Sequence, residues 1–247
     1  MPFALVPCLL GGWADTKPGF VFWCLAFGVS QTLATLALSK ALTASAISLV
    51  TPLWKLSLLG LLAMGYTMGE RPTAAGIAGV LLSTVGVYLL NVSRARISVW
   101  EPIRVLVIDR GQRYTLLAAA LYAPAVLTFK QVVLASDAPT GTFAAYSAAA
   151  LVMSPIALLT SVRHFAAIPR YWAMFTAVGL FATLTSLAHG VAYTLTLASY
   201  VEAVKQIDVV IAMVVGIVMF RESERVREVT PGAAVMLLGM VLLALAG

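Results

Sequence analysis

Six residues whose side chains could hold a charged or aromatic solute lie within strongly apolar stretches of the sequence: Trp54, Lys55, Lys130, His189, Lys205 and Asp208. An ionisable residue at the centre of a membrane span costs about 2.5–3.5 kcal/mol to insert, so such residues normally face a cavity or one another. The chemistry that they could supply is the binding of a charged solute or the transfer of a proton.

The two stretches that hold Lys55 and Asp208 are copies of each other. Residues 44–71 align with residues 198–225 at a constant offset of 154 positions, and this alignment places Asp208 on Trp54, beside Lys55. A duplicated membrane unit with ions and prolines in mid-span is typical of secondary transporters, which bind solutes near the membrane midplane at the repeat interface. Lys55 and Asp208 are therefore expected at similar depth near that interface.

Two interpretations of these charges stay open. In the first, Lys55 and Asp208 form a structural ion pair, or Lys205 and Asp208 pair along their own helix, because residues three apart on a helix are neighbours. In the second, the charges hold a zwitterion, with Lys55 on its carboxylate and Asp208 on its ammonium group. Asp208 could instead carry a proton.

Each remaining candidate has a structural alternative. Lys130 could face a cavity or extend its ammonium to the membrane surface, and His189 could relay protons or simply pack. Glu202 lies near a predicted helix end and could be solvated, whereas Glu70 and Glu224, beside arginines, are interpreted as members of local loop ion pairs. Several aromatic residues could line a cavity or belong to the core: Trp54, Tyr122, Tyr146, Tyr193 and Tyr200.

The composition excludes a soluble domain. The 247 residues are 61% hydrophobic and only 11% charged, with a mean hydropathy of +0.97, too few polar residues to cover a soluble surface. The net charge of +6 is scattered through short loops and forms no basic stripe, so we expect no nucleic-acid partner. The sequence has no hydrolase, phosphate-loop or metal-binding motif, so we expect no enzyme activity, cofactor or metal site.

The apolar segments predict a polytopic all-α membrane protein. Residues 2–12 are apolar but too short to cross a bilayer and count as a half-helix. Eight full spans are predicted, near residues 20–39, 44–67, 73–92, 115–135, 142–162, 172–197, 200–220 and 231–246. Three prolines inside spans, where proline bends or breaks a helix, are Pro52, Pro124 and Pro155.

The spacing of the copies predicts an inverted repeat. The helix of Ala198 is the fifth span after the helix of Ala44, and an odd step makes the two copies cross the membrane in opposite directions. Residues 114–154 have no counterpart in the first copy, so we expect the sequence to lack one and a half helices at its N-terminus. The glycine pairs Gly79/Gly86 and Gly232/Gly239 should allow close helix packing or a homodimer contact.

The distribution of lysine and arginine predicts the orientation. Only Lys17 and Arg71 occupy one set of loops, whereas eleven basic residues occupy the other set, which should therefore be cytoplasmic; this count places the C-terminus outside. The eleven are Lys40, Arg94, Arg96, Arg104, Arg110, Arg113, Arg163, Arg170, Arg221, Arg225 and Arg227.

The duplicated pattern resembles the EamA-like family of the drug/metabolite transporter superfamily. The similar segments are residues 41–45, 51–54 and 69–71 with Gly79 and Gly86, and residues 198–200 and 221–222 with Gly232 and Gly239. The resemblance implies ten helices in two inverted repeats around a central cavity. It divides the chain into a first, incomplete repeat (1–92), an inter-repeat loop (93–113) and a second repeat (114–247).

The resemblance also implies the function that we expect: an exporter or exchanger in the plasma (inner) membrane that moves a small organic solute, such as an amino acid, a metabolite or an amphipathic drug, by alternating access. Because the sequence has no nucleotide-binding loop, it predicts a gradient-driven or facilitative carrier, for which a proton or a counter-substrate could supply the coupling. The alternative is an N-terminally truncated membrane protein that does not transport, or an assembly partner.

Overall fold

The described part of the chain is helical. The computed structural model describes residues 2–45, 47–95, 97–100, 109–208, 210–211 and 226–246, and these ranges contain no strand. The α-helices, numbered in chain order, are α1 (Pro2–Gly11), α2 (Phe20–Ala44), α3 (Ile47–Trp54), α4 (Ser57–Thr67), α5 (Ala74–Ala95), α6 (Arg110–Leu134), α7 (Ala138–Ser161), α8 (Trp172–Leu195), α9 (Ala198–Lys205) and α10 (Val226–Ala246). A 3₁₀ helix, which the sequence did not predict, covers Val162–Tyr171.

Length and composition support the membrane prediction. Four described helical segments are long and apolar enough to cross a bilayer: Phe20–Ala44, Arg110–Leu134, Ala138–Ala166 and Ile168–Leu195. Shorter apolar helical segments cover Ser57–Thr67, Ala74–Leu90 and Thr230–Leu245. The prediction of an all-α membrane protein is thereby confirmed, whereas the ten-helix inverted-repeat arrangement stays a prediction.

Some predicted spans differ from the observed helices. The span at 44–67 is divided into α3 and α4, and in the span at 200–220 helix α9 ends at Lys205. Residues 212–220 of that span lie outside the described residues, as do Arg221, Glu224 and residues 96 and 101–108 of the inter-repeat loop. Helices α3, α6 and α7 continue through their internal prolines, Pro52, Pro124 and Pro155.

The chain forms two compact units. Unit 1 contains Met1–Thr32 and Pro124–Leu195, and unit 2 contains Leu33–Ala123 and Thr196–Gly247. The unit boundaries fall within α2, within α6 and between α8 and α9 rather than at residues 93–113. The predicted repeat boundary stays a prediction, because compactness and internal sequence symmetry are different properties of a chain.

In unit 1, two hydrogen bonds join the loop after α1 to the turn between α6 and α7. The Lys17 ammonium donates to the Leu134 carbonyl at 2.8 Å, and the Lys17 N–H donates to the Ala135 carbonyl at 2.8 Å. A cation at this position complements the partial negative charge at the C-terminus of α6. Asp137 caps α7 by accepting from the Thr140 N–H at 2.7 Å.

Unit 2 is organised by close contact between α5 and α10. A Cβ on Gly79 would lie 2.8 Å from the Gly239 carbonyl oxygen, and a Cβ on Gly232 would lie 2.6 Å from the Leu90 nitrogen. The start of α5 therefore meets the end of α10, and the two helices run antiparallel. The predicted role of the glycines in close packing is confirmed, whereas a homodimer contact stays a prediction.

We predict that Gly86→Ala destabilises unit 2, because a Cβ at this position would lie 2.5 Å from the Met236 Cα. Overpacking of this kind costs about 1–3 kcal/mol, although Gly→Ala inside a helix would otherwise stabilise by up to about 1 kcal/mol. The measurement is the Tm of the purified protein in detergent. Gly60→Ala is the matched control, since its new Cβ would lie 3.7 Å from the Ala123 Cβ; equal Tm values for the two variants would contradict the prediction.

Candidate functional site

Lys55 lies at an interruption between α3 and α4. The Leu56 N–H donates to the Leu53 carbonyl at 3.1 Å, and the Leu58 N–H donates to the Lys55 carbonyl at 3.4 Å. These three-residue spacings are tighter than those of an α-helix, so one helix ends and another begins here. Pro52 lies three residues earlier, inside α3. The N–H that proline lacks would bond to the carbonyl four residues before it, so Pro52 alone does not place the interruption at Lys55.

The second copy is interrupted at a similar place. Helix α9 ends at Lys205, and the Gln206 N–H donates to the Ala203 carbonyl at 3.2 Å. Ser83 of α5 donates its hydroxyl to the same carbonyl at 3.3 Å, so two groups satisfy an oxygen that the end of the helix would leave without a partner. In the repeat alignment Gln206 falls on Pro52, within four residues of the interruption in the first copy.

Glu202 is the most enclosed charge of the site. It is only 2% exposed, and its Oε1 and Oε2 atoms lie 2.8 Å and 2.7 Å from the Lys205 Nζ. The Tyr122 hydroxyl donates to Glu202 Oε2 at 3.0 Å and accepts from Lys205 Nζ at 3.0 Å. The expectation that Glu202 could be a solvated residue at a helix end is wrong, because Lys205 and Tyr122 hold its carboxylate in the interior.

Aromatic rings border this ion pair. The rings of Trp54 and Tyr122 lie 5.0 Å apart between centroids at an interplanar angle of 58°, a tilted contact that aromatic pairs favour. The Lys205 Nζ lies 5.6 Å from the centroid of the Tyr122 ring, within the range of a cation–π interaction. Tyr122 thus joins Trp54, at the end of α3, to Lys205, at the end of α9.

Lys55 and Asp208 share the electrostatic environment of this pair. The carboxylates of Asp208 and Glu202 attract the Lys55 ammonium, and the Lys205 ammonium repels it. Lys55 is half-buried and Asp208 is exposed. Among the described residues the ion pair of Lys205 is with Glu202 and not with Asp208, and neither Lys55 nor Asp208 forms an ion pair.

A further carboxylate positions α9. Glu70 is 7% exposed, and its Oε1 accepts from the Ala198 N–H, the first of α9, at 2.7 Å. A carboxylate stabilises a helix N-terminus because it binds the free N–H groups and complements the helix dipole. The neighbouring Arg71 donates to the Tyr66 and Glu70 carbonyls, and the interpretation of Glu70 as a member of a loop ion pair stays a prediction; Glu224 lies outside the described residues.

Two predicted site residues belong to unit 1. Lys130 of α6 is buried at 9% exposure. The His189 ring stacks on Tyr193, with centroids 6.1 Å apart and an interplanar angle of 24°. Tyr193 also contacts Phe129 within a cluster of aromatic side chains, so the packing interpretation describes the geometry of His189. The residues that the structure brings together are the four of unit 2: Trp54, Lys55, Lys205 and Asp208.

No family model matches this sequence, and no curated protein matches it. The resemblance to EamA-like transporters therefore stays a hypothesis that depends on the residues quoted above.

We predict that Glu70→Ala lowers the free energy of unfolding by about 1–2 kcal/mol, because α9 loses the carboxylate that binds its first N–H. Glu70→Gln should cost less, since its amide oxygen can still accept. The measurement is again the Tm in detergent, and Asp15→Ala is the control because Asp15 is an exposed carboxylate. A Tm of Glu70→Ala no lower than that of the control would contradict this assignment.

Proposed function

We propose that this protein is a secondary transporter of a small organic solute that carries both a positive and a negative group. The observation that carries the proposal is that unit 2 contains two pairs of oppositely charged residues, of which one forms an ion pair and the other does not. Glu202 and Lys205 neutralise each other at 2.7 Å. Lys55 and Asp208 share their environment, and neither forms an ion pair within the described residues.

A zwitterion would complete this arrangement. The Lys55 ammonium would bind a carboxylate of the solute, and the Asp208 carboxylate would bind its ammonium group, so that two charges in an apolar chain gain partners when the solute binds. Trp54 offers an aromatic face beside them for the apolar part of the solute. Amino acids and compounds of similar charge are the chemical class that fits best.

Three features support transport over simple binding. The sequence is duplicated, the equivalent helices α5 and α10 lie antiparallel, and both copies are interrupted next to charged residues. Interrupted helices at corresponding places of inverted repeats are where secondary transporters bind solutes. The resemblance to EamA-like transporters points to export or exchange in the plasma membrane, coupled to a proton or a counter-substrate, by alternating access.

We predict that the standard amino acids include at least one that raises the Tm of the purified protein in detergent. A ligand that binds only the folded state at 100 times its Kd stabilises by about 2.7 kcal/mol. Sugars, nucleobases and monovalent organic cations serve as comparison solutes. Uptake or counterflow of the same amino acid by reconstituted vesicles then separates transport from binding.

Lys55→Met and Asp208→Asn should each weaken that binding by about 30-fold or more, because loss of one charged contact costs about 2 kcal/mol or more. Lys40→Met and Asp15→Asn are matched controls, since both residues are exposed and outside the site. Binding that survives both site variants would contradict the assignment. A folded protein that binds and moves none of these solutes would favour the alternative of a membrane protein that assembles with a partner.

A further inference from the structure

We propose that Glu202 is a positioning residue, which holds the Lys205 ammonium away from Asp208 and so keeps the Asp208 carboxylate available to the cationic group of a solute. This inference rests on the proposed function, because it explains why Asp208, rather than Glu202, remains available to bind a solute. It assigns a role to a residue that sequence reasoning placed in solvent.

Two hydrogen bonds and an ion-pair contact direct the Lys205 ammonium toward Glu202 and Tyr122. The Lys205 Nζ donates to Glu202 Oε1 at 2.8 Å and to the Tyr122 hydroxyl at 3.0 Å, and it lies 2.7 Å from Glu202 Oε2. Among the described residues Lys205 forms its ion pair with Glu202 and none with Asp208. Glu202 is deeply buried and Tyr122 is half-buried, so solvent competes little for these bonds.

Without Glu202, Lys205 would have a second carboxylate within reach. Gln206 has φ of −62° and ψ of −9°, and residues 207–208 are again helical, so positions 205 and 208 keep the three-residue spacing at which helical side chains meet. Lys205 is 32% exposed and attached through a flexible stem. If Glu202 lost its charge, the Lys205 ammonium would turn to Asp208 and occupy the position of the solute's ammonium group.

The first test compares binding of an amino acid by Glu202→Gln, Lys205→Met and the double variant, with the standard amino acids as zwitterionic probes. Glu202→Gln should weaken binding about tenfold, because an Asp208 that is engaged nine-tenths of the time lowers the apparent affinity by that factor. Removing Lys205 as well should restore binding to within about threefold of the wild type, a recovery that a merely structural role for Glu202 would not produce. Wild-type affinity in Glu202→Gln, or a double variant as weak as Glu202→Gln, would overturn the proposal.

The second test needs no ligand and separates this inference from the proposed function. Asp208→Asn should leave the Tm unchanged in the wild type but lower it by about 2–4 °C in Glu202→Gln, where a Lys205–Asp208 contact has formed. An unchanged Tm in both backgrounds would overturn the inference even if amino acids bind, whereas a wild type that binds none of them would contradict only the proposed function. Glu202→Asp, whose shorter carboxylate should hold Lys205 less firmly, repeats both tests with a smaller effect if Glu202→Gln does not fold.

Discussion

Close contact between α5 and α10 is the constraint on which unit 2 depends. Because glycines face the opposite backbone at this crossing, the two helices approach until main-chain atoms are neighbours, and Val87, Leu90 and Met236 fill the space around them. Helix α5 then supplies the surface for α9: Ser83 binds the Ala203 carbonyl, and Gly76 leaves room for the Tyr200 ring. The charged end of α9 is therefore positioned by a contact that contains no charge at all.

The charges impose a second constraint, since a buried carboxylate costs several kcal/mol unless it is paired and its oxygens accept hydrogen bonds. Glu202 meets this condition through Lys205 and Tyr122. Glu70 meets it through the first N–H of α9, so the same short helix holds a carboxylate at its start and another near its end. The interrupted helices impose a further requirement, because the main-chain N–H and C=O groups at each helix end need hydrogen-bond partners.

The sequence predicted the helices and the glycine contact because both are local or periodic signals. It could not predict which acid Lys205 selects: Glu202 lies three residues before it and Asp208 three residues after, and this spacing alone does not decide between them. The Tyr122 hydroxyl, which binds both Lys205 and Glu202, favours Glu202, and Tyr122 lies 83 residues from Lys205 in the chain. The contact of Glu70 with the Ala198 N–H was not predictable for the same reason, because the two residues are 128 positions apart in the chain. Pro52 predicted a bend or break within this span but not its position, since proline disturbs the turn before it whereas the interruption follows it.

The two pairs of opposite charges in unit 2 therefore have different physical roles. A closed ion pair in an apolar interior is seldom a net source of stability, since apolar residues of similar volume often do as well, and its value lies in fixing where each charge points. The fixed pair defines the surroundings of Lys55 and Asp208, whose charges attract each other without forming an ion pair among the described residues. Charges that are not paired gain more from a ligand than charges that are, because binding then adds contacts without breaking an existing one. One closed ion pair beside one pair of charges that is not closed would therefore suit the reversible binding that the proposed transport requires.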